Sequence, residues 1–390
     1  MEKLMNIYDL LITIDNNHPI RNKIKNFLEC NTPPDISPEK DLDQFVTDGS
    51  NWQKKLFDQK VIGNFVPTEY GGCNISFYDE AVALETLALE GSPQIPGIFG
   101  LTMLCPILLR NGSNNQKAII PKLVSGEIIA CQLFSEPSAG SDLSSLQTKL
   151  TKTIDGYILN GQKIWTSFAK YAQLGFGIAR LDDAQPRKKS EGICYFLIDM
   201  KNQPDKAVMV KPIRQISGEA EFCEVFFDNA FVSNENIIGD PNQGWKIAIE
   251  TLLIERALLT FSRHTQTINL VKKIANIITE DFRKEFEHLI SEFNLLRLVA
   301  YQNLEKLKQA PQNPDVWPGA ESSADKLLWS ENFKKFARFY RRLALKKDAA
   351  TLRDAEKVYF YSLGRTIAAG TSEIQKLTIA QRLLGLPRSY

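Results

Sequence analysis

Between Ala130 and Arg180 the chain stops reading as helix and starts reading as strands joined by tight turns, and this segment most narrows the folds open to it. An apolar run opens it and breaks into small polar residues from Ser138 to Ser145. Strand-like alternation follows, with turn signals at Asp155-Gly156 and Asn160-Gly161. Both dipeptides tolerate the positive φ that short hairpin turns demand. A loop of Ser, Ala and Gly lets a large planar ligand come close to backbone N–H groups. Trp165, at the end of a strand, offers such a ligand a wall to stack on. The segment reads as a β-rich ligand platform.

The flanks read differently. Residues 1–129 are mainly helical in pattern, with a short amphipathic helix from Asn51 to Val61 and a turn at Pro67 to Gly72. Further helices are expected over Asp79–Leu89 and Asn115–Val124. Residues 130–240 form a central β domain of short strands, including Ile193–Ile198 and Glu224–Phe227, with a polar loop from Asp182 to Gly192. Its short strands and tight turns suit a barrel or sandwich better than βαβ units. From residue 241 to 390 the chain is helical again. Trp245–Phe261 is apolar on nearly every face, long helices follow over 265–309, and prolines interrupt at Pro311 to Pro318. The expected fold class is therefore α+β: a helical domain, a β domain and a helical bundle.

Composition excludes several functions. The chain is 43% hydrophobic and 24% charged, as ordinary soluble domains are. A net charge of +1 argues against a bulk polyanion such as nucleic acid. Six cysteines are scattered without CxxC spacing, four of them in apolar runs, which predicts buried thiols in a reducing compartment and a cytoplasmic location. His18, His264 and His288 lie far apart, so no metal site is expected. The first residues carry acids and no apolar h-region, so no secretory signal is expected. No uninterrupted apolar stretch reaches the roughly eighteen residues from which a membrane span is read, so none is expected. Gly175-Phe176-Gly177 has Arg180 where a dinucleotide fingerprint needs its third glycine.

Glu255 stands out on chemistry alone. It lies in the middle of an apolar helix, with Leu252, Leu258 and Leu259 as its neighbours one turn away. Burial favours the protonated form, which tunes a carboxylate toward general-base work near neutral pH. From the residues alone, an ion pair with Arg256 or a partner helix is the better reading. The stretch 333–347 places Phe333, Phe336, Tyr340 and Leu343 on one face and bases elsewhere, as in a core-facing helix with a solvated side or a membrane-surface helix. Ser372 with Gln375 reads as a capping box that opens the last helix.

Three ordered motifs carry a resemblance. SEPSAGSD (135–142) and NGQKIWTS (160–167) resemble the two flavin-binding motifs of the acyl-CoA dehydrogenase family, and GTSEIQKLTIAQRLLGLP (370–387) is similar to its closing motif. The resemblance implies FAD as cofactor. It places Phe134, Ser135, Gly140 and Ser141 along the isoalloxazine, with Trp165 and Ser167 packing against and hydrogen-bonding it. Thr371 and Glu373 would touch the FAD, and Arg283 falls where some bacterial branches place an arginine for it. Ser141 and Arg256 would lie beside the substrate.

In the commoner branch the catalytic base precedes the Gly-Thr of the closing motif, and here that residue is Ala369. The isovaleryl-CoA dehydrogenase branch instead keeps its base on the long helix just before an arginine, which LLIERALL matches at Glu255. The resemblance thus implies removal of the pro-R α-proton of an acyl-CoA by Glu255, hydride transfer to flavin N5, and a trans-2-enoyl thioester as product. Electrons would leave through an electron-transferring flavoprotein, and a homodimer, homotetramer or heterotetramer is expected. Two family segments, Arg-x-x-Phe-Gly and Gly-Gly-x-Gly, are not recognisable, the second being replaced by Lys, Arg and Ala between 334 and 356. The same resemblance leaves a dehydrogenase or oxidase of carrier-protein thioesters, and a non-catalytic subunit of a heterotetramer, as alternatives.

Overall fold

The computed structural model describes Leu11 and residues 15–38, 41–183 and 188–387. The chain packs as two compact units, one from the described parts of Pro33–Ile75 and Pro93–Glu255, the other from those of Met1–Thr32, Ser76–Ser92 and Arg256–Tyr390. In chain order the described α-helices before the sheet are α1 (Pro19–Cys30), α2 (Leu42–Asp58), α3 (Phe77–Leu89), α4 (Cys105–Asn111), α5 (Asn114–Lys117) and α6 (Ile120–Val124). After the strands come α7 (Gly244–Ala275), α8 (Glu280–Glu305), α9 (Glu321–Ala344), α10 (Ala349–Arg365) and α11 (Ser372–Thr378).

The first unit is built on a sheet of β1 (Ala130–Leu133), β2 (Lys149–Lys152), β3 (Gly156–Ser167), β4 (Leu174–Leu181), β5 (Ile193–Asp199), β6 (Val208–Ile213), β7 (Phe222–Ser233) and β8 (Ile237–Ile238). The strand path runs β6-β7-β3-β2-β4-β5-β8, with β1 also on β4. Among the described residues only the β1/β4 and β2/β4 pairs are parallel. Cys131, Leu133, Leu150, Leu159, Cys194, Phe196, Ile198, Val225 and Val232 are buried together on one side. At Gly177 a Cβ would meet the Leu133 carbonyl at 2.7 Å, so the glycine serves close strand approach.

Several local expectations shift. Asp155-Gly156 does turn β2 into β3, where Lys152 pairs with Tyr157. Asn160-Gly161 is no hairpin: it lies inside β3 at a register shift against β7. Gly161 takes φ +144 there, and a Cβ would meet Thr148 Oγ1 at 2.5 Å. The positive φ that the dipeptide tolerates is used for a β-bulge. The helix expected from Asn51 starts earlier, because Asp41 caps α2 by accepting from the Gln44 N–H at 2.9 Å. The helix expected over Asn115–Val124 is two short ones, since Pro121 has no N–H for the ladder and the second helix restarts around it.

Four cysteines, Cys105, Cys131, Cys194 and Cys223, are buried, while Cys30 and Cys73 are exposed, and none of the six forms a disulfide. Among the described residues no helix is long and apolar enough to cross a membrane.

The second unit is helical. Its core gathers Phe282, Phe286, Phe293, Trp329, Phe333, Phe336 and Phe339, with Phe286 stacked on Phe339 at 5.8 Å. Phe333, Phe336, Tyr340 and Leu343 all face this core, so the basic stretch is a core-facing helix. Its bases pair with α8 on the exposed side, Lys335 with Glu292, Arg342 with Glu285 and Lys346 with Asp281.

Deeper, Glu85 of α3 is fully buried and takes hydrogen bonds from Arg21 (2.5 Å), Arg297 (3.3 Å) and the Tyr301 hydroxyl (2.6 Å). Burial and then the Glu85 charge push the Tyr301 phenol well above its ordinary range, so it remains a donor.

Asp325 of α9 is buried against Asn303, which donates to it at 2.9 Å. Burial pushes its carboxyl up to about 7, against the Asn303 hydrogen bond. The folded state therefore binds this proton more tightly than the unfolded chain. Its contribution is full below the unfolded value near ~4 and is lost as pH rises toward 7. We expect Asp325→Asn to gain on the order of 2–4 kcal/mol over the wild type at about pH 8 relative to about pH 5. Urea midpoints at the two pH values measure this, and parallel pH profiles in both proteins would refute it.

Candidate active site

The strand lane beside β4 is interrupted. β1 pairs with Leu174–Gly177 and β2 with Arg180 and Leu181, so both lie along the β4 edge that β5 leaves open. Between them the chain from Phe134 to Thr148 leaves the sheet as a loop that contains SEPSAGSD. The Phe134 ring meets Phe176 at 6.4 Å and Tyr195 at 5.9 Å, both edge-on. Ser135 accepts the Ile164 N–H through its carbonyl at 2.9 Å, which ties the loop's first residue to β3.

Beyond it, Glu136 and Ala139 exchange backbone hydrogen bonds of 3.1 Å, and Gly140 and Ser141 stand exposed. Asp142 accepts from the Ser144 (2.7 Å) and Ser145 (2.5 Å) hydroxyls at a single turn of 3-10 helix. Arg180 donates to the carbonyls of Ser144 (2.7 Å) and Leu146 (3.3 Å), and to those of Lys189 and Glu191 in the β4–β5 loop.

The second motif ends β3. A register shift between Lys163 and Thr166 throws Trp165 to φ +61, and its indole is 56% exposed with Phe222 edge-on at 6.1 Å. A bulge is a device for re-aiming a side chain, and here it turns a large aromatic toward solvent. Ser167 is half-buried two residues on. Two buried polar atoms, Gln132 Nε2 on β1 and Thr166 Oγ1 on β3, have no hydrogen-bond partner among the described residues. Buried polar atoms are rarely left so. Gln132 is not among the expected site residues, though strand alternation puts it on the Phe134 side of the chain as the one polar residue in ACQLF.

Glu255 belongs to the same unit. Gly244 starts α7 against the β5 backbone, and one turn before Glu255 the Thr251 hydroxyl meets the Tyr195 hydroxyl at 3.1 Å. Residues i and i+4 share a helix face. Glu255 therefore follows Thr251 on the face of α7 turned to Tyr195, the ring that packs on Phe134. It is 8% exposed.

The other expected residues lie in the second unit. Arg256, expected beside the substrate, sends its guanidinium to the Ala369 carbonyl (3.3 Å) and the Ser323 hydroxyl (3.1 Å). Ala369 takes φ +56, and Gln375 also donates to its carbonyl at 2.7 Å. The Ser372–Gln375 capping box does not form. Thr371 is the cap, accepting from the Ile374 N–H at 3.3 Å, while Ser372 donates to Glu331 at 2.6 Å. Glu373 is exposed, and Arg283 stands on the first turn of α8 paired with Glu280 at 3.0 Å.

Comparisons with known proteins give the chain a family. The acyl-CoA dehydrogenase family models match this chain over residues 15–127 (N-terminal domain), 131–230 (middle domain) and 242–384 (C-terminal domain). The chain belongs to the acyl-CoA dehydrogenase family.

Among its relatives is the acyl-CoA dehydrogenase IpdE1 of Mycobacterium tuberculosis, 32% identical over 86% of this chain and 88% of that protein. The mitochondrial isovaleryl-CoA dehydrogenase of Solanum tuberosum is 28% identical over 74% of this chain and 68% of its own length. Among solved structures, that of PigA with FAD and proline shares the fold at a TM-score of 0.77 and 22% identity, covering 96% of this chain and 99% of that one.

Proposed function

We propose that this protein binds FAD and catalyses the α,β-dehydrogenation of an acyl thioester, with Glu255 as the base. The observation that carries the reading is the placement of Glu255. It is a buried carboxylate on the α7 face turned to Tyr195, in the same unit as both flavin motifs, while Ala369 at the alternative position has no acid. FAD, when bound, supplies the acceptor for a hydride and its electron pair.

The residues fit that group. Gln132 Nε2 and Thr166 Oγ1 await a partner, Trp165 presents an open indole, and a Cβ added at Gly140 would meet no heavy atom within 4 Å. Phe134, Ser135, Gly140, Ser141, Trp165 and Ser167 would hold the ring system, with Thr371, Glu373 and Arg283 as the proposed contacts of the helical unit. The thioester is oriented along Ser141, with Arg256 fixing the backbone at Ala369. Glu255 takes the proton from Cα, and burial keeps water from competing for it. The product is a 2-enoyl thioester. Release of the electrons to an electron-transferring flavoprotein, and assembly into a homo- or hetero-oligomer, complete the proposal.

Its test is product analysis. Incubation of the FAD-loaded protein with a chemical electron acceptor and a panel of CoA-linked and carrier-linked acyl thioesters should give one thioester lighter by a pair of hydrogens. Unchanged substrates across the whole panel would refute it.

A further inference from the structure

The neck of the serine loop is closed by a buried ion pair. Lys163 of β3 is fully buried and Glu136 nearly so, with Nζ and Oε1 2.8 Å apart. Neither is isolated. Lys163 also donates to the Phe134 carbonyl at 3.1 Å. Glu136 accepts the backbone N–H groups of Gln147 at 2.6 Å and Thr148 at 3.0 Å. The carboxylate thus sits on the outgoing limb of the loop and grips the returning limb, and a lysine from the neighbouring strand bolts both to β3. Two residues past Lys163, the same strand bulges and turns Trp165 outward.

Burial pushes the Glu136 carboxyl up, but Lys163 and the backbone donors outweigh it and hold the group below its ordinary value. Burial pulls the Lys163 ammonium down to about 8. A buried pair of this kind is a poor stabiliser compared with apolar packing of the same volume. It does fix geometry, because each of its oxygens and its ammonium is satisfied by a specific partner.

We propose that Glu136 and Lys163 are positioning residues for the flavin: they preform the Phe134–Thr148 loop and set its spacing from Trp165, so that the ring system meets a rigid cradle. This inference rests on the FAD reading given above.

Glu136→Gln tests it most cleanly. The amide keeps the volume, and Lys163 can shed its proton, so the fold survives. The new NH2 group, however, turns a donor toward the Gln147 or Thr148 N–H, and the neck opens. We expect FAD affinity, measured by flavin fluorescence quenching in the full-length protein, to fall by about tenfold or more, as when second-layer partners of a site are removed. The double variant Glu136→Leu/Lys163→Met separates cradle from stability. Its urea midpoint should lie at or above that of Glu136→Gln, because no charge is left buried without its partner, yet FAD should still bind about tenfold more weakly.

Recovery of FAD affinity together with stability in the double variant would overturn the proposal, as would wild-type affinity in Glu136→Gln. A wild-type protein that binds no FAD would instead refute the flavin reading. Amide exchange of residues 139–146 in apo wild type against Glu136→Gln then still tells whether the pair holds the loop, with equal exchange in both counting against it.

Discussion

Glu255→Gln should bind FAD and acyl thioester as the wild type does and yet reduce the flavin about a thousandfold more slowly. The amide matches the carboxylate in volume, so the apolar surroundings of α7 need not move. What disappears is the acceptor for the α-proton, and positioned general bases contribute about 10²- to 10⁴-fold. Anaerobic stopped-flow absorbance gives the rate directly. Exchange of the substrate α-hydrogen with deuterated solvent offers a second readout, and it should vanish with the carboxylate. A variant that reduces flavin within about threefold of the wild type would remove Glu255 from the chemistry, because no base operating at Cα contributes so little.

The largest effect on stability is expected at Glu85. This carboxylate is the common acceptor for Arg21, Arg297 and Tyr301, and all of them are buried. Glu85→Gln leaves the guanidinium groups facing a neutral amide in a low-dielectric interior. Breaking a buried pair by removing one partner costs about 3–5 kcal/mol, a large part of the roughly 5–15 kcal/mol that holds a typical domain folded. Urea unfolding should show the midpoint falling accordingly. A partial recovery is expected in Glu85→Gln/Arg21→Met, which removes one of the uncompensated charges. A loss below about 1 kcal/mol in the single variant would mean that water already solvates this cluster.

Much of this is legible in the residues alone. Local chemistry announced itself: Asp155-Gly156 turns a hairpin, the apolar face of 333–343 finds the core, and the buried cysteines are the four in apolar runs. Glu255 was visible as a carboxylate in an apolar helix because burial is a property of the helix's own neighbours.

What escaped was set by contacts far along the chain. Asn160-Gly161 carries the same signal as a hairpin turn, and only its register against β7 makes it a bulge. Glu136 and Lys163 read as ordinary polar residues until β3 is laid beside the loop neck, 27 positions away. Gln375 looked like the partner of a capping serine, yet its amide is spent on the carbonyls of Ala369 and Gly370. Both residues lie inside the motifs, Glu136 in SEPSAGSD and Lys163 in NGQKIWTS, yet only their pairing shows that they hold the loop in place.

The most direct measurement is the visible absorption spectrum of the purified protein during anaerobic addition of acyl thioesters. The account predicts flavin bands that bleach on addition of at least one thioester in the wild type and stay unbleached over the same time in Glu255→Gln. A colourless protein that cannot be reconstituted with FAD, or a bound flavin that no thioester reduces, would contradict it.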